Sequence, residues 1–301
     1  MSDSPPLLFD THAEAYFELE ARRRTLLRDV RGLLRLFRSM MDCDRVLDVG
    51  CGTGEHAAVL SRAGIRTVGL DRSAGMIEVA RARFPEPAFV RADITRFDEV
   101  RAALAESTST STSASERGEA GRGRDRDRQT HIFDGVFSLF GTLNYLHEAE
   151  QLAGALRVIA STLRPGGRAA LEVWNPSAYR SLAGDRGGNA SAPAVERVVE
   201  TAGGRLHRRR SVRFETQTPD FVVIQHDYEF RPRGTDAIAD GRLQTETHRL
   251  RLYSAEQMER LAISAGLRLR ETRADLGGGR AGESSAGLLL VFEKEPAHVA
   301  G

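Results

Sequence analysis

The 301-residue chain has two cysteines, no long apolar run and almost no excess of charge, with 43 Lys+Arg against 42 Asp+Glu. Each shortage excludes something. Cys43 and Cys51 cannot build a disulfide framework, and no His/Asp/Glu grouping has the spacing of a metal site. A net charge of +1 provides no global basic field for nucleic acid. Without a membrane-length apolar stretch or an N-terminal signal pattern, the expectation is a soluble, cytoplasmic protein with no membrane partner.

What is present starts at Val46-Leu47-Asp48-Val49-Gly50-Cys51-Gly52-Thr53-Gly54-Glu55-His56. It reads as a buried parallel strand, a glycine-rich turn and the start of a helix. Glycines at 50, 52 and 54 permit positive φ and a close approach to a ligand, which the free N–H groups of the following helix would face. The register Gly52-x-Gly54-x-x-Ala57 also satisfies the loose dinucleotide pattern. A second strand, Val68-Gly69-Leu70-Asp71, ends in an acid about 20 residues on, where a carboxylate can accept hydrogen bonds from ribose hydroxyls. Asp48 separates the two ligand classes. Its carboxylate would repel a pyrophosphate but suits S-adenosylmethionine (SAM), which brings an ammonium, a sulfonium and no phosphate.

These segments resemble the class I SAM-dependent methyltransferases. Leu47–Gly54 resembles the first motif, Gly69-Leu70-Asp71-Arg72-Ser73 the second and Arg91-Ala92-Asp93-Ile94 the third. Leu163-Arg164-Pro165-Gly166-Gly167 resembles the turn before the fifth strand, so the match runs in order from Asp48 to Gly167. The resemblance implies an α/β fold: a doubly wound, Rossmann-like seven-stranded sheet with SAM at its carboxyl edge. It implies that Asp48, Gly50, Cys51, Gly52, Gly54 and His56 surround the methionine end. Asp71, Arg72 and Met76 would surround the ribose and adenine, Asp93 and Ile94 would frame the adenine, and Ser138 and Phe140 would pass beside the sulfonium. Cys51 itself reads as packing rather than chemistry.

Around that core, residues 11–40 read as a helix with a broad apolar face. Strands are expected at 45–49, 67–71, 88–91, 133–138 and 168–174, and helices at 55–63, 74–84 and 148–163. A helix at 254–265 and strands at 267–273 and 286–293 close the chain. Residues 107–130, a Ser/Thr run followed by charges, read as a disordered loop insertion. Residues 175–252 carry strand-like runs at 195–201, 208–216, 222–231 and 243–252, and Gly184–Asn189 reads as a mobile loop among them. The expected organisation is a SAM-binding core over 1–174, an antiparallel β insert over 175–252 and completion of the core over 253–295. The insert would cover the substrate, form a dimer contact, or both.

The acceptor side is read from Phe133–Leu146. No Asn-Pro-Pro-Tyr or Asp-Pro-Pro-Tyr occurs there, which disfavours the known arrangement for base or amide nitrogen, and no Cys pair suits carbon methylation of pyrimidines. Ser138–Leu146, Glu172-Val173-Trp174, His248–Tyr253 and Ala13-Glu14-Ala15-Tyr16 resemble N,N-dimethyltransferases of nucleotide-linked amino sugars, which carry Asp where this chain has Phe17. That resemblance puts Tyr16 beside the methyl group and Tyr145 beside the acceptor amine, and Phe140, Tyr145 and Trp174 are the candidates for the acceptor wall. Bland readings remain for each. Tyr16 and Met76 could be helix core, Tyr145 could cap the sheet edge, His56 could face solvent and Trp174 could pack under the insert. His147 reads as a helix start, Asp134 as structural, and Arg208-Arg209-Arg210 as a solvated strand edge unless a diphosphate is bound. The leading function is transfer of a methyl group from SAM to a small molecule, with an amine favoured. A methyltransferase of RNA or protein would need a basic mouth at Arg180, Arg186 and Arg205–Arg210, and a non-catalytic SAM-binding module would need a plugged acceptor pocket.

Overall fold

The computed structural model describes residues 8–20, 26–40, 43–111, 133–184, 191–215, 218, 220–234 and 244–296. Five parallel strands, β1 (Arg45–Val49), β2 (Arg66–Asp71), β3 (Ala88–Arg91), β4 (Phe133–Ser138) and β5 (Leu163–Trp174), join β10 (Leu267–Arg273) and β11 (Gly287–Lys294) in one sheet. Its order is β10-β11-β5-β4-β1-β2-β3, with β11 antiparallel to both neighbours. Strand order reverses between β1 and β4, and ligands of such sheets bind at the carboxyl ends of the strands flanking that point.

Both faces are covered. On one, α2 (Leu26–Arg38) lays Val30, Leu33, Leu36 and Phe37 against Val46, Phe137, Ala170 and Leu289, beside α3 (Glu55–Arg62) and α4 (Ala74–Arg83). On the other, α5 (Phe97–Ser111), α6 (Ala149–Thr162) and α8 (Ala255–Ile263) bury Leu104, Leu156, Ile159 and Met258 against Leu47, Val136 and Leu171. Each fully buried aliphatic side chain contributes about 1.5–3 kcal/mol, so these two contacts dominate the stability of the sheet. Four further strands, β6 (Ser191–Glu200), β7 (Gly204–Phe214), β8 (Phe221–Pro232) and β9 (Gln244–Arg251), form a separate antiparallel sheet in sequential order.

Several boundaries differ from the reading of the sequence. Of the expected helix over 11–40, the described residues show α1 (Ala13–Glu20) and α2, and 21–25 lie outside them. α5 runs to Ser111, so the segment read as disordered from 107 begins as helix; its acidic first turn and buried Val100 and Leu104 nucleate it upstream. The remainder, 112–130, lies outside the described residues. An additional helix, α7 (Pro176–Gly184), opens the region assigned to the insert. Asn175 Oδ1 accepts the Ser177 N–H at 3.1 Å and Pro176 occupies the first turn, a helix start that the strand-to-insert reading passed over. Gly184 ends that helix and 185–189 lie outside the described residues.

Candidate active site

One cavity of about 2060 Å³ runs from the carboxyl ends of β1, β2 and β3 to the underside of the antiparallel sheet. The turn after β1 forms its floor. Gly50 has φ 74°, and a Cβ there would stand 2.3 Å from Thr142 Oγ1, so the turn and the segment after β4 approach as only glycine allows. Gly52 faces the cavity between Tyr16 and Met76, with ring and sulfur 3.5 and 3.9 Å from its missing Cβ. Gly54 does not line the cavity. Its missing Cβ, with that of Gly69, makes room for the Phe89 ring, which packs with Cys51, Ala57, Ile77 and Ala80.

Asp48, Asp71 and Glu55 gather at this floor, and Asp93 lines the cavity after β3. Asp48 is buried on β1, and burial, then Asp71 and Glu55, push its carboxyl well above the ordinary range. Burial also raises Asp71, against the Gly52 and Ser73 N–H groups it accepts at 3.0 and 2.9 Å. Asp93 uses Oδ1 to hold Thr95, through its N–H at 2.9 Å and its hydroxyl at 2.8 Å, and lines the cavity with Ile94. Arg72 and Met76 line it as well. His56 is buried with Nε2 3.8 Å from the fully buried Asp29 and its ring 5.5 Å from Phe140, so the solvent-facing alternative does not hold. Burial and Asp48 raise the Cys51 thiol, which leaves it inert and agrees with a packing role.

Ser138 is the other expected cofactor residue that the cavity does not include. Its hydroxyl donates to the Val49 carbonyl at 2.9 Å and ties β4 to β1. The chain turns into the cavity one step later. Phe140 adopts φ 57°, a left-handed conformation costing about 1–2 kcal/mol in a non-glycine residue, and its N–H donates to Glu172 Oε2 at 3.1 Å. Tyr145 ends the short 3-10 turn Thr142–Tyr145, and burial holds its phenol well above its usual range. Trp174 stacks on Tyr179 at 5.0 Å, and both line the cavity beside Phe214.

The antiparallel sheet roofs this wall. On β7 alternate residues turn inward, and Arg208 and Arg210 are buried while Arg209 is exposed, so the triplet is not a solvated edge. Arg208 pairs with Glu20 and donates to the Leu19 carbonyl at 3.2 Å, pinning the roof to α1. Arg210 and His226 line the cavity opposite each other in register. Burial, then His248, Arg208 and Arg210, push His226 down to about 2, so it stays neutral. His147 precedes α6, as read, and also binds the Arg249 carbonyl at 2.6 Å through Nε2.

The sequence reading missed Glu172, His226 and the segment Leu8–Asp10 as site residues. His226 was visible as a polar interruption in the apolar alternation Val222, Ile224, Tyr228. Glu172 gave a weaker signal as an acid near a strand's carboxyl end. The Leu8–Asp10 segment gave none, because its contacts are long-range. Asp10 Oδ1 accepts the Ser73 hydroxyl at 2.8 Å and the Gly75 N–H at 3.1 Å.

The chain matches the family described as methyltransferase domain over residues 19–272, and it belongs to that family. It is similar to the dTDP-3-amino-3,4,6-trideoxy-alpha-D-glucopyranose N,N-dimethyltransferase of Streptomyces venezuelae, at 25% identity over 76% of this chain and 77% of that one. It is similar also to the dTDP-3-amino-3,6-dideoxy-alpha-D-glucopyranose N,N-dimethyltransferase of Streptomyces fradiae, at 24% identity over 74% and 69%. Among solved structures, a sugar N-methyltransferase from Streptoalloteichus sp superposes with a TM-score of 0.69 at 20% identity, covering 98% of this chain and 96% of that one, a likeness of fold. The methyl donor is SAM, and the residues present fit it. A buried carboxyl pushed up at Asp48 accommodates a cation, the glycine turn leaves room beside Tyr16 and Met76, and Asp71 stands at the end of β2. Among the described residues no group of three or more His, Cys, Asp or Glu could hold a metal ion, and no helix is long and apolar enough to cross a membrane.

Proposed function

We propose that this methyltransferase transfers a methyl group from SAM to the amine of a small molecule, and that the acceptor is an amino sugar carried on a nucleoside diphosphate. The observation that carries this reading is the continuity of the cavity. Asp48 and the glycine turn at one end share it with Phe140, Tyr145 and Trp174 at the other, under a roof that presents Arg210. When bound, SAM supplies a methyl group on a sulfonium with a good leaving group. The protein's part is alignment and exclusion of water. Asp48 balances the cationic methionine end, Asp71 takes the ribose hydroxyls and the free oxygen of Asp93 takes the adenine amino group. Tyr16, which lines the cavity beside Gly52, would bound the methyl end of the donor, and the aromatic wall would hold the acceptor nitrogen. Arg210 is the candidate partner for a diphosphate.

The charge pattern at the mouth supports a small acceptor over RNA or protein. Arg180 pairs with Asp220 at 2.6 Å and Arg205 with Glu200 at 2.7 Å, and Arg208 is turned inward, so the described part of the expected basic stripe is largely neutralised or buried; Arg186 lies outside the described residues. The open aromatic end disfavours a binding module whose acceptor side is plugged. We assign the insert to covering the acceptor; a dimer contact would fall to its outer face. Incubation of the protein with SAM and dTDP-3-amino-3,6-dideoxy-α-D-glucopyranose, followed by mass spectrometry, tests the reading. One or two added methyl groups on the sugar amine support it. SAM binding without methylation of this or related amino sugars overturns the acceptor class.

A further inference from the structure

Beneath Tyr145 lies a line of polar side chains on the inner face of the roof. The phenolic oxygen of Tyr145 is 2.7 Å from His248 Nδ1. On the far side of that ring, Glu246 Oε1 lies 2.8 Å from Nε2, an ion-pair contact whose angle falls short of a hydrogen bond. Both His248 and Glu246 are almost entirely buried. The other carboxylate oxygen of Glu246 accepts the Leu8 N–H at 2.9 Å, and the Phe9 ring stands edge-on to Tyr145 and His248 at 5.7 and 5.2 Å. A carboxylate beside Nε2 favours the tautomer protonated there, which leaves Nδ1 as the acceptor for the phenol hydrogen. Of the three side chains only Tyr145 lines the cavity.

We propose that Tyr145, His248 and Glu246 form a proton relay that drains the acceptor amine, an assignment that rests on the amine reading above. The acceptor nitrogen bonds to the methyl carbon as the carbon–sulfur bond breaks and sulfur keeps the electron pair. The resulting ammonium gives a proton to Tyr145 Oη, which passes its own proton to His248 Nδ1. Glu246 balances the imidazolium, and the proton returns through Tyr145, the member that lines the cavity, to water once the products leave. Burial keeps Tyr145 a neutral phenol, a conduit rather than a standing base. A drained nitrogen regains its lone pair inside the cavity, which a second methylation at the same atom requires.

The groups facing His248 include Glu246 on its own strand, His226 on β8 at 5.0 Å between rings, and Tyr145 after β4. Tyr228 and His12 interact with Glu246, Arg208 and Arg210 act on His226, and Tyr16, Glu20 and Arg72 act on Tyr145. Tyr145 is the candidate catalytic residue. His248 and Glu246 act through it and are positioning residues.

Two measurements test the relay. The first needs no acceptor: nitrogen-15 NMR of histidine-labelled full-length protein bound to S-adenosylhomocysteine. His248 is expected as the Nε2–H tautomer, with its Nδ1 resonance moved by Tyr145→Phe and its tautomer balance moved by Glu246→Gln. An Nδ1–H tautomer, or an imidazolium throughout about pH 6–9, the range over which imidazoles commonly titrate, overturns the relay. The second follows the first and the second methyl transfer to dTDP-3-amino-3,6-dideoxy-α-D-glucopyranose separately. His248→Asn should leave the first transfer close to wild type and slow the second on the order of 100-fold, the low end for proton-transfer catalysis. Tyr145→Phe combined with His248→Asn should be no slower than either alone. S-adenosylhomocysteine binding by each variant separates loss of relay from loss of fold. Wild-type protein that leaves the sugar unmethylated sinks the acceptor reading, while the NMR result still decides the relay. Wild-type dimethylation with an unchanged second transfer in His248→Asn sinks the relay alone.

Discussion

At Asp48 three acidic side chains share one corner of the cavity, and the consequence is a binding event sensitive to pH. Its folded-state pKa lies above its unfolded value. Its contribution to stability is therefore complete below the ordinary carboxylate range and is lost as pH rises through the raised value. A bound cation opposes that loss. SAM affinity is expected to increase with pH until Asp48 is ionised, with net proton release on binding. Calorimetry in two buffers of different ionisation enthalpy measures that release, which Asp48→Asn should remove. Asp71→Ala removes a charged acceptor from the ribose position and from the Gly52 and Ser73 N–H groups. A loss of about 1.5–3 kcal/mol, roughly 10- to 150-fold in SAM affinity, is expected by titration. Both acids were legible in the sequence because an acid at the end of an apolar strand is a conspicuous break in pattern. Phe140 was legible as a neighbour of the sulfonium but not as a strained residue, since φ is set by the Glu172 contact and the packing around it.

Among the elements, the parallel strands announced themselves as apolar runs bounded by glycine and acid, and their predicted positions hold within a few residues. The strands of the roof were also visible, but their inward face was not. Arg208, Arg210, His226 and His248 interrupt the apolar alternation and imitate a wet surface, whereas burial against Glu20, Glu246 and the cavity is what places them. Helix α7 was hidden for a different reason: its Asn-Pro start sits immediately after Trp174, where the eye follows the strand. Two predictions belong to this scale. In the turn after β4, Gly141 has φ 72° and a Cβ there would stand 2.7 Å from Trp174 Nε1. Gly141→Ala should therefore depress methyl transfer at least tenfold, the order expected of a small misplacement in the site, while SAM affinity changes little. Steady-state rates beside calorimetric Kd values would expose the split. At the junction of β7 and α1, Arg208→Met strands Glu20 without its partner. A loss of about 1–3 kcal/mol is expected from denaturant melting, because Glu20, only partly exposed, is left without its partner.

On the scale of the whole molecule, the floor and the aromatic wall of the cavity belong to the main sheet and its roof to a second sheet, built from chain that leaves the core after β5 and returns before α8. The segment Leu8–Asp10 touches both. Leu8 holds Glu246 in the roof, while the Phe9 carbonyl and the Asp10 carboxylate hold Ser73 at the start of α4, at 2.7 and 2.8 Å. Asp10→Ala is therefore expected to weaken SAM binding and to raise the KM for the acceptor together, although the residue stands at the donor end; initial-rate kinetics with either substrate varied would show it. Leu8–Asp10 is thus a tie across one continuous cavity, fastened to the roof at Glu246 and to the floor at Ser73 and Gly75. Loss of either fastening is felt at both ends, so the grip on one ligand depends on the same few residues as the grip on the other.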